Sequence, residues 1–138
     1  MTQQMHFEGI TLTVQSVDRA IDFYGGKLGL KVEHNASPAF ALIRVEGDSG
    51  GTIGLLSVHE SQKDVVEPST PAQRRAIHVE FSTDDLDALF EELKAKGLHF
   101  HVPPHDEPWE RSMTAFDPDG HSVEFAQGRR GHNTTIAK

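Results

Sequence analysis

Apolar and polar residues alternate over Gly9–Val14 (GITLTV): Ile10, Leu12 and Val14 fall on one side, Gly9, Thr11 and Thr13 on the other. A period of two with one apolar face predicts a half-buried strand. The period then changes. Ser16 supplies an N-cap hydroxyl, and Val17, Ala20, Ile21 and Tyr24 recur at helical spacing, which predicts a helix broken by Gly25, Gly26 and Gly29. Strands are predicted over residues 30–33, 40–45 and 52–58, the last two joined by a hairpin turn at residues 47–51 (GDSGG). Residues 60–75 are polar, contain Pro68 and Pro71, and read as a linker.

The order then begins again. Residues 76–82 alternate, with Ile77, Val79 and Phe81 opposite His78, Glu80 and Ser82. A helix follows from Asp85, striped by Leu86, Leu89, Phe90 and Leu93 and stopped at Gly97. Residues 98–102 predict a strand, 103–108 (PPHDEP) a loop, and 111–116 and 121–125 two strands around the turn Asp117-Pro118-Asp119-Gly120. Gly9 falls opposite His78 at an offset of 69 residues, and Gly54 opposite Glu124 at an offset of 70. Such self-similarity marks an internal repeat. The fold class expected is α+β: two βαβββ modules (about residues 7–59 and 76–127) forming a cup-shaped mixed sheet with the helices on its outer face, and a polar tail over 128–138.

Composition narrows the partners. With 138 residues and 36% hydrophobic content the chain can bury a real core. A net charge of −8 disfavours nucleic acid, and the basic residues Arg129, Arg130 and Lys138 lie in the tail, read as a loose terminus or a dimer-docking arm. Cysteine is absent, which excludes disulfides, thiolate nucleophiles and cysteine-based zinc sites. Met1-Thr2-Gln3-Gln4 lacks an apolar signal region and no apolar run is long enough to span a bilayer, so a cytoplasmic protein without membrane partners is expected.

Three stretches together resemble the vicinal oxygen chelate superfamily, the glyoxalase/bleomycin resistance protein/dioxygenase family. They are residues 14–24 (VQSVDRAIDFY) followed by Leu28-Gly29-Leu30; His78-Val79-Glu80-Phe81 leading into Asp84-Asp85-Leu86-Asp87 and Gly97; and Pro108-Trp109, Arg111, Phe116-Asp117-Pro118-Asp119-Gly120 and Glu124-Phe125. The resemblance covers residues 7–127 and implies a fold shared by isomerases, ring-cleaving dioxygenases, thiol transferases and drug-sequestering proteins. It also implies one divalent metal (Fe, Mn, Ni, Zn or Co) held by ligands from the first and last strands of each module. His78 and Glu124 match those positions in the second module, and both face away from the apolar side. Gly9 and Gly54 stand at the matching positions of the first and offer no side-chain donor, but leave room for a bulky flat ligand. His6, Glu8 and His59 have the parity of the helix side, whereas His101 and His105 are open as third ligands.

Each assignment has a plainer alternative. His78 is a metal ligand or a hydrogen-bonding pocket residue, and Glu124 is functional or salt-bridged, with His78 as its natural partner. Glu80 shares their face and reads as a ligand contact or a solvated strand residue. Thr11 and Thr13 line the small polar face of the first strand. Trp109 stacks on a flat ligand or staples its loop, and Arg111 clamps a carboxylate or phosphate or pairs with a neighbouring acid. Phe23 and Tyr24 are assigned to the core, and Asp117–Gly120 to turn chemistry. Three functions stay open: a protein binding a small organic molecule in the cup without a complete metal-ligand set; a metal-dependent lyase/isomerase or ring-cleaving dioxygenase, with Glu124 or a metal-bound water moving protons; and a non-catalytic regulatory or vestigial domain. The resemblance also implies a homodimer.

Overall fold

The structure, a computed structural model, describes residues 3–45, 51–61 and 70–127. The expected turn at 47–51 (Gly51 apart) and the tail from residue 128 lie outside the described residues. The chain divides into two units, Met1–Pro68 and Ser69–Lys138.

In the first unit, β1 (Gly9–Val14) runs parallel to β4 (Thr52–Ser57), and β3 (Phe40–Arg44) and β2 (Lys31–Ala36) continue an antiparallel ladder, giving the order β1-β4-β3-β2. Ile10 pairs with Ile53 and Leu12 with Leu55, so the predicted apolar side of β1 merges into one apolar sheet face. The helix α1 (Val17–Ile21) starts at Ser16, whose hydroxyl accepts the Arg19 N–H at 3.2 Å. Gly25 and Gly26 do not stop it, contrary to the sequence expectation. The helix widens into a π-type segment over Asp22–Lys27, with the Leu28 N–H donating to the Phe23 carbonyl at 3.0 Å, and ends at Gly29, whose φ is +76°. A Cβ at Gly25 would press on Val32 at 2.8 Å, so the glycine serves close approach between helix and strand. Both Phe23 and Tyr24 turn inward, edge to face at 4.9 Å, and join Val14, Val17, Ile43 and Leu55 in the core. Each such side chain contributes roughly 1.5–3 kcal/mol by leaving water. Val58, expected in the strand, begins the short helix α2 (Val58–Ser61).

The second unit opens with α3 (Pro71–Arg75), inside the stretch expected to be a linker. Its cause is legible after the fact: Thr70 and Gln73 form a reciprocal capping box and Pro71 occupies the first turn. The Arg74 guanidinium donates to the Asp119 carbonyl at 2.6 Å, and Arg75 lies 4.7 Å from the Phe116 ring centre. Then come β5 (His78–Ser82), α4 (Leu86–Ala95), β6 (Phe100–Glu107), β7 (Glu110–Phe116) and β8 (Ser122–Gln127), in the order β5-β8-β7-β6 with β5 and β8 parallel. Asp85 caps α4 through the Ala88 N–H at 3.0 Å, and Gly97, at φ +96°, ends it. Leu86 and Leu93 bury against the sheet face that carries Val79, Met113, Val123 and Phe125. The rings of Phe81, Phe125, Phe100 and Phe90 follow one another at centroid separations of 5.7, 6.1 and 5.0 Å.

Of the loop expected at 103–108, residues 103–107 are instead the outer half of β6, and Pro108 opens the turn to β7. The ladder shifts register twice, between Phe100 and Val102 and again between Val102 and His105, and the second shift carries the strand past its prolines. Proline cannot donate to a ladder and is tolerated in edge strands and bulges, and β6 is an edge strand. β2, its counterpart in the first unit, shows a single shift, between Val32 and His34. Among the described residues no helix is long and apolar enough to cross a membrane.

Candidate functional site

The register places His78, Glu80, Glu107, Glu110 and Glu124 on the sheet face opposite α4. His78 pairs with Ser122, Glu80 with Glu124, and Glu124 in turn with Thr114. Ser112 faces His105 and Glu110 faces Glu107 across β6 and β7. One face therefore gathers His78, Glu80, Glu107, Glu110, Glu124 and His105 over a floor of Ser112, Thr114 and Ser122. Those three floor residues are buried, Glu124 is half-buried, and His78 and Glu80 are exposed.

His78 Nδ1 lies 2.9 Å from the Ser122 hydroxyl, the neighbour that the parallel register delivers. His105 was the residue sequence reasoning left unplaced. Its Nδ1 lies 3.1 Å from the Pro103 carbonyl oxygen and its Nε2 3.0 Å from Glu107 Oε1. The Pro103 carbonyl foremost, then the Glu107 carboxylate, raise its pKa against a small opposing effect of burial, and the charge of Glu124 adds to the rise. The overlooked signal was Pro103-Pro104 inside an apolar-polar run: a bulge there reverses parity and brings His105 to the face of Glu124.

Arg111 points to the other side. Its guanidinium donates to Asp87 on α4 and to Asp106 on β6, each at 3.0 Å, and these hydrogen bonds, Asp87 first, raise its pKa further. It joins helix to sheet, the plainer of its two readings. Trp109 occupies the tight turn between β6 and β7 and is 56% exposed. His101 stacks on Phe116 at 4.6 Å. His6, Glu8 and His59 are exposed, in the segment before β1 and in α2.

In the first unit the corresponding face has another character. Thr11 is exposed, Thr13 half-buried, and beside them stand Phe40, Leu42 and Leu56. Thr11 pairs with Gly54 as Glu80 pairs with Glu124, which confirms the expected equivalence of Gly54 and Glu124. A Cβ would meet close neighbours at both glycines. A Cβ at Gly54 would lie 2.9 Å from Thr11 Oγ1 and 3.2 Å from the Phe40 ring. At Gly9, with φ +156°, it would fall on the backbone of Thr52.

Asp117, Asp119 and His121 form the group of His and acidic residues whose ligand-capable atoms lie within 4.8 Å of one another among the described residues. Their geometry also explains the turn. Asp117 Oδ1 accepts the N–H groups of Asp119 and His121, each at 2.9 Å, and its Oδ2 lies 2.8 Å from His121 Nδ1. The carboxylate is engaged on both oxygens in bracing the β7–β8 connection.

With fold and face established, comparison with known proteins places the chain. The model of the Glyoxalase/Bleomycin resistance protein/Dioxygenase superfamily matches residues 6–125, and the chain belongs to that superfamily. It is 28% identical over 123 residues to the uncharacterized protein YraH of Bacillus subtilis (strain 168), covering 84% of this chain and 93% of that one. Among solved structures, a glyoxalase/bleomycin resistance protein/dioxygenase from Nocardioides superposes with a TM-score of 0.73 at 23% identity, over 95% of this chain and 88% of that chain. A superfamily member from Sphaerobacter thermophilus DSM 20745 gives 0.68 at 21% identity, over 89% and 98%. These likenesses show the fold.

The metal set that the superfamily implies does not fit this chain. His78 and Glu124 fill two of the implied positions, whereas a facial site needs three, and among the described residues no third His or acidic side chain groups with them at ligand spacing. Gly9 and Gly54 supply none; a Cβ at Gly9 would fall on the Thr52 backbone, and one at Gly54 would meet the side chains of Thr11 and Phe40.

Proposed function

We propose that this protein binds a small organic molecule on a sheet face opposite a helix, without the complete metal-ligand set of a chelating enzyme. The absence of a side-chain donor at Gly9 and Gly54 carries this reading, and at Gly9 the Thr52 backbone leaves no room for a side chain that would supply one. Within the first unit, Thr11 and Thr13 with Phe40, Leu42 and Leu56 offer hydroxyls and apolar area, which suits a flat or amphipathic ligand. His78, Glu80 and Glu124 offer polar recognition, and exposed Trp109 offers a ring on which a flat group stacks. The ligand is organic and uncharged or cationic in the part that meets Glu80 and Glu124. The working species is a homodimer; a monomeric mass by light scattering at micromolar concentration would refute that part.

A second reading is a metal-dependent lyase/isomerase or dioxygenase, favoured by the placement of His78 and Glu124 on one face. Metal content after purification without chelator separates the two, with His78→Ala and Glu124→Ala as controls. Substoichiometric metal, even after soaking, with ligands from a flat, polar-rimmed library raising the melting temperature, is the expected result. Stoichiometric iron, manganese, nickel, zinc or cobalt that disappears in both variants would overturn it. A vestigial or regulatory domain would show neither metal nor ligand.

A further inference from the structure

His105 has an acceptor at each ring nitrogen: the Pro103 carbonyl oxygen at Nδ1 and the Glu107 carboxylate at Nε2. A neutral imidazole carries one N–H, and its other nitrogen is itself an acceptor. A carbonyl oxygen and a carboxylate only accept. The doubly protonated ring alone satisfies both contacts, and the neutral ring sets a lone pair against an oxygen at one end.

Those contacts also span a backbone irregularity. From the Val102–Thr114 pair to the His105–Ser112 pair, β6 advances three residues while β7 advances two, and Pro103 and Pro104 occupy the extra step. In a regular strand His105 would have pointed to the α4 side. The ring thus ties the carbonyl at the start of the bulge to the carboxylate beyond it.

We propose that His105 is a positioning residue and protonation switch for the polar face of the second unit: as an imidazolium it clamps the Pro103–Pro104 bulge and fixes Glu107, and on losing a proton to solvent it releases one end of the clamp. The proposal rests on the reading of that face as a ligand surface, and adds how pH regulates it. The charged and titratable groups facing this region are Glu107 on its own strand, Glu110 on β7, Glu124 on β8, and Glu80 and His78 on β5. The Arg111–Asp106 pair lies at the same level on the opposite side of the sheet. The strands contribute no lysine or arginine to the face. Loss of the imidazolium charge therefore leaves a more negative surface that has also lost a geometric constraint.

The test uses the full chain without ligand, so it is independent of whether any ligand is found. The histidine ring and backbone amide resonances are assigned by triple-resonance NMR and followed between about pH 5 and pH 9, the range in which imidazoles titrate. His105 is expected to titrate above the ordinary value of about 6.5, with the Ser112 and Thr114 amides moving at the same midpoint. In Glu107→Gln the His105 midpoint falls and the amide response weakens. A His105 midpoint at or below the ordinary value, or β7 amides that stay still while His105 titrates, would overturn the proposal. A coupled titration in a protein that binds nothing from the library would leave the switch standing and refute the ligand reading.

Discussion

At the scale of single residues, Gly9 and Gly54 show how much a missing side chain conveys. The sequence exposes the loss of two donors, because the repeat aligns each glycine with a potential ligand. It does not expose the closure behind them, which depends on where Thr52, Thr11 and Phe40 come to lie across strands. Gly9→Ala is expected to destabilise by about 1–3 kcal/mol through backbone strain and steric crowding. Gly29→Ala, whose Cβ would meet nothing within 4 Å, is expected to lose only about 1 kcal/mol. Urea midpoints of the two variants against wild type check the order, and a Gly9→Ala protein as stable as wild type would reopen the first unit to side-chain ligands. His105 gives a second prediction, with its sign fixed by the raised pKa. Its stabilising contribution is full below the ordinary imidazole value and is lost as pH rises through the folded-state value. The stability gap between wild type and His105→Gln should therefore shrink from pH 6 to pH 9 in parallel denaturation series. A gap that widens would contradict the charged clamp.

Elements differ in how plainly the sequence marks them, and the differences have local causes. β1 and α4 are legible because one period runs through each and a cap side chain marks each helix start: Ser16 for α1, Asp85 for α4. Asp85→Ala is expected to remove about 1 kcal/mol from the second unit, visible as a lower urea midpoint with an unchanged denaturant slope. Arg111 reads ambiguously because its partner Asp87 lies 24 residues away on the helix. The π-type widening at Asp22–Lys27 escapes a periodicity argument, since glycine signals a stop and a close approach alike. α3 escapes because two prolines suggest a linker, although the Thr70–Gln73 box was present in the letters. The outer half of β6 escapes because prolines outweigh alternation in any strand reading, and only the partner strand shows that the chain bulges and continues.

For the whole molecule, each unit carries its own hydrophobic core, and family membership follows from the repeat more than from any one motif. Leu55→Ala in the first unit and Leu93→Ala in the second should each lose about 2–5 kcal/mol, since both side chains are almost completely buried; thermal denaturation of each variant measures it. The net charge of −8 bears on partners at the same scale. The protein is expected to pass through a heparin column at low salt without retention, because like charges repel at distances that salt has not yet screened. The superfamily defines a scaffold that many chemistries share, so what the chain binds is decided by its own face residues.

The kink that turns His105 has one more effect. β6 is the last strand of its sheet, and an outer strand with a full row of amide hydrogens invites another chain to add on. Pro103 and Pro104 have no such hydrogens, and the double step in register breaks the straight run that an added strand would follow. The second sheet is thereby protected from self-templated growth on that side, and replacing both prolines with alanine would exchange a specific ring geometry for an exposed, sticky margin.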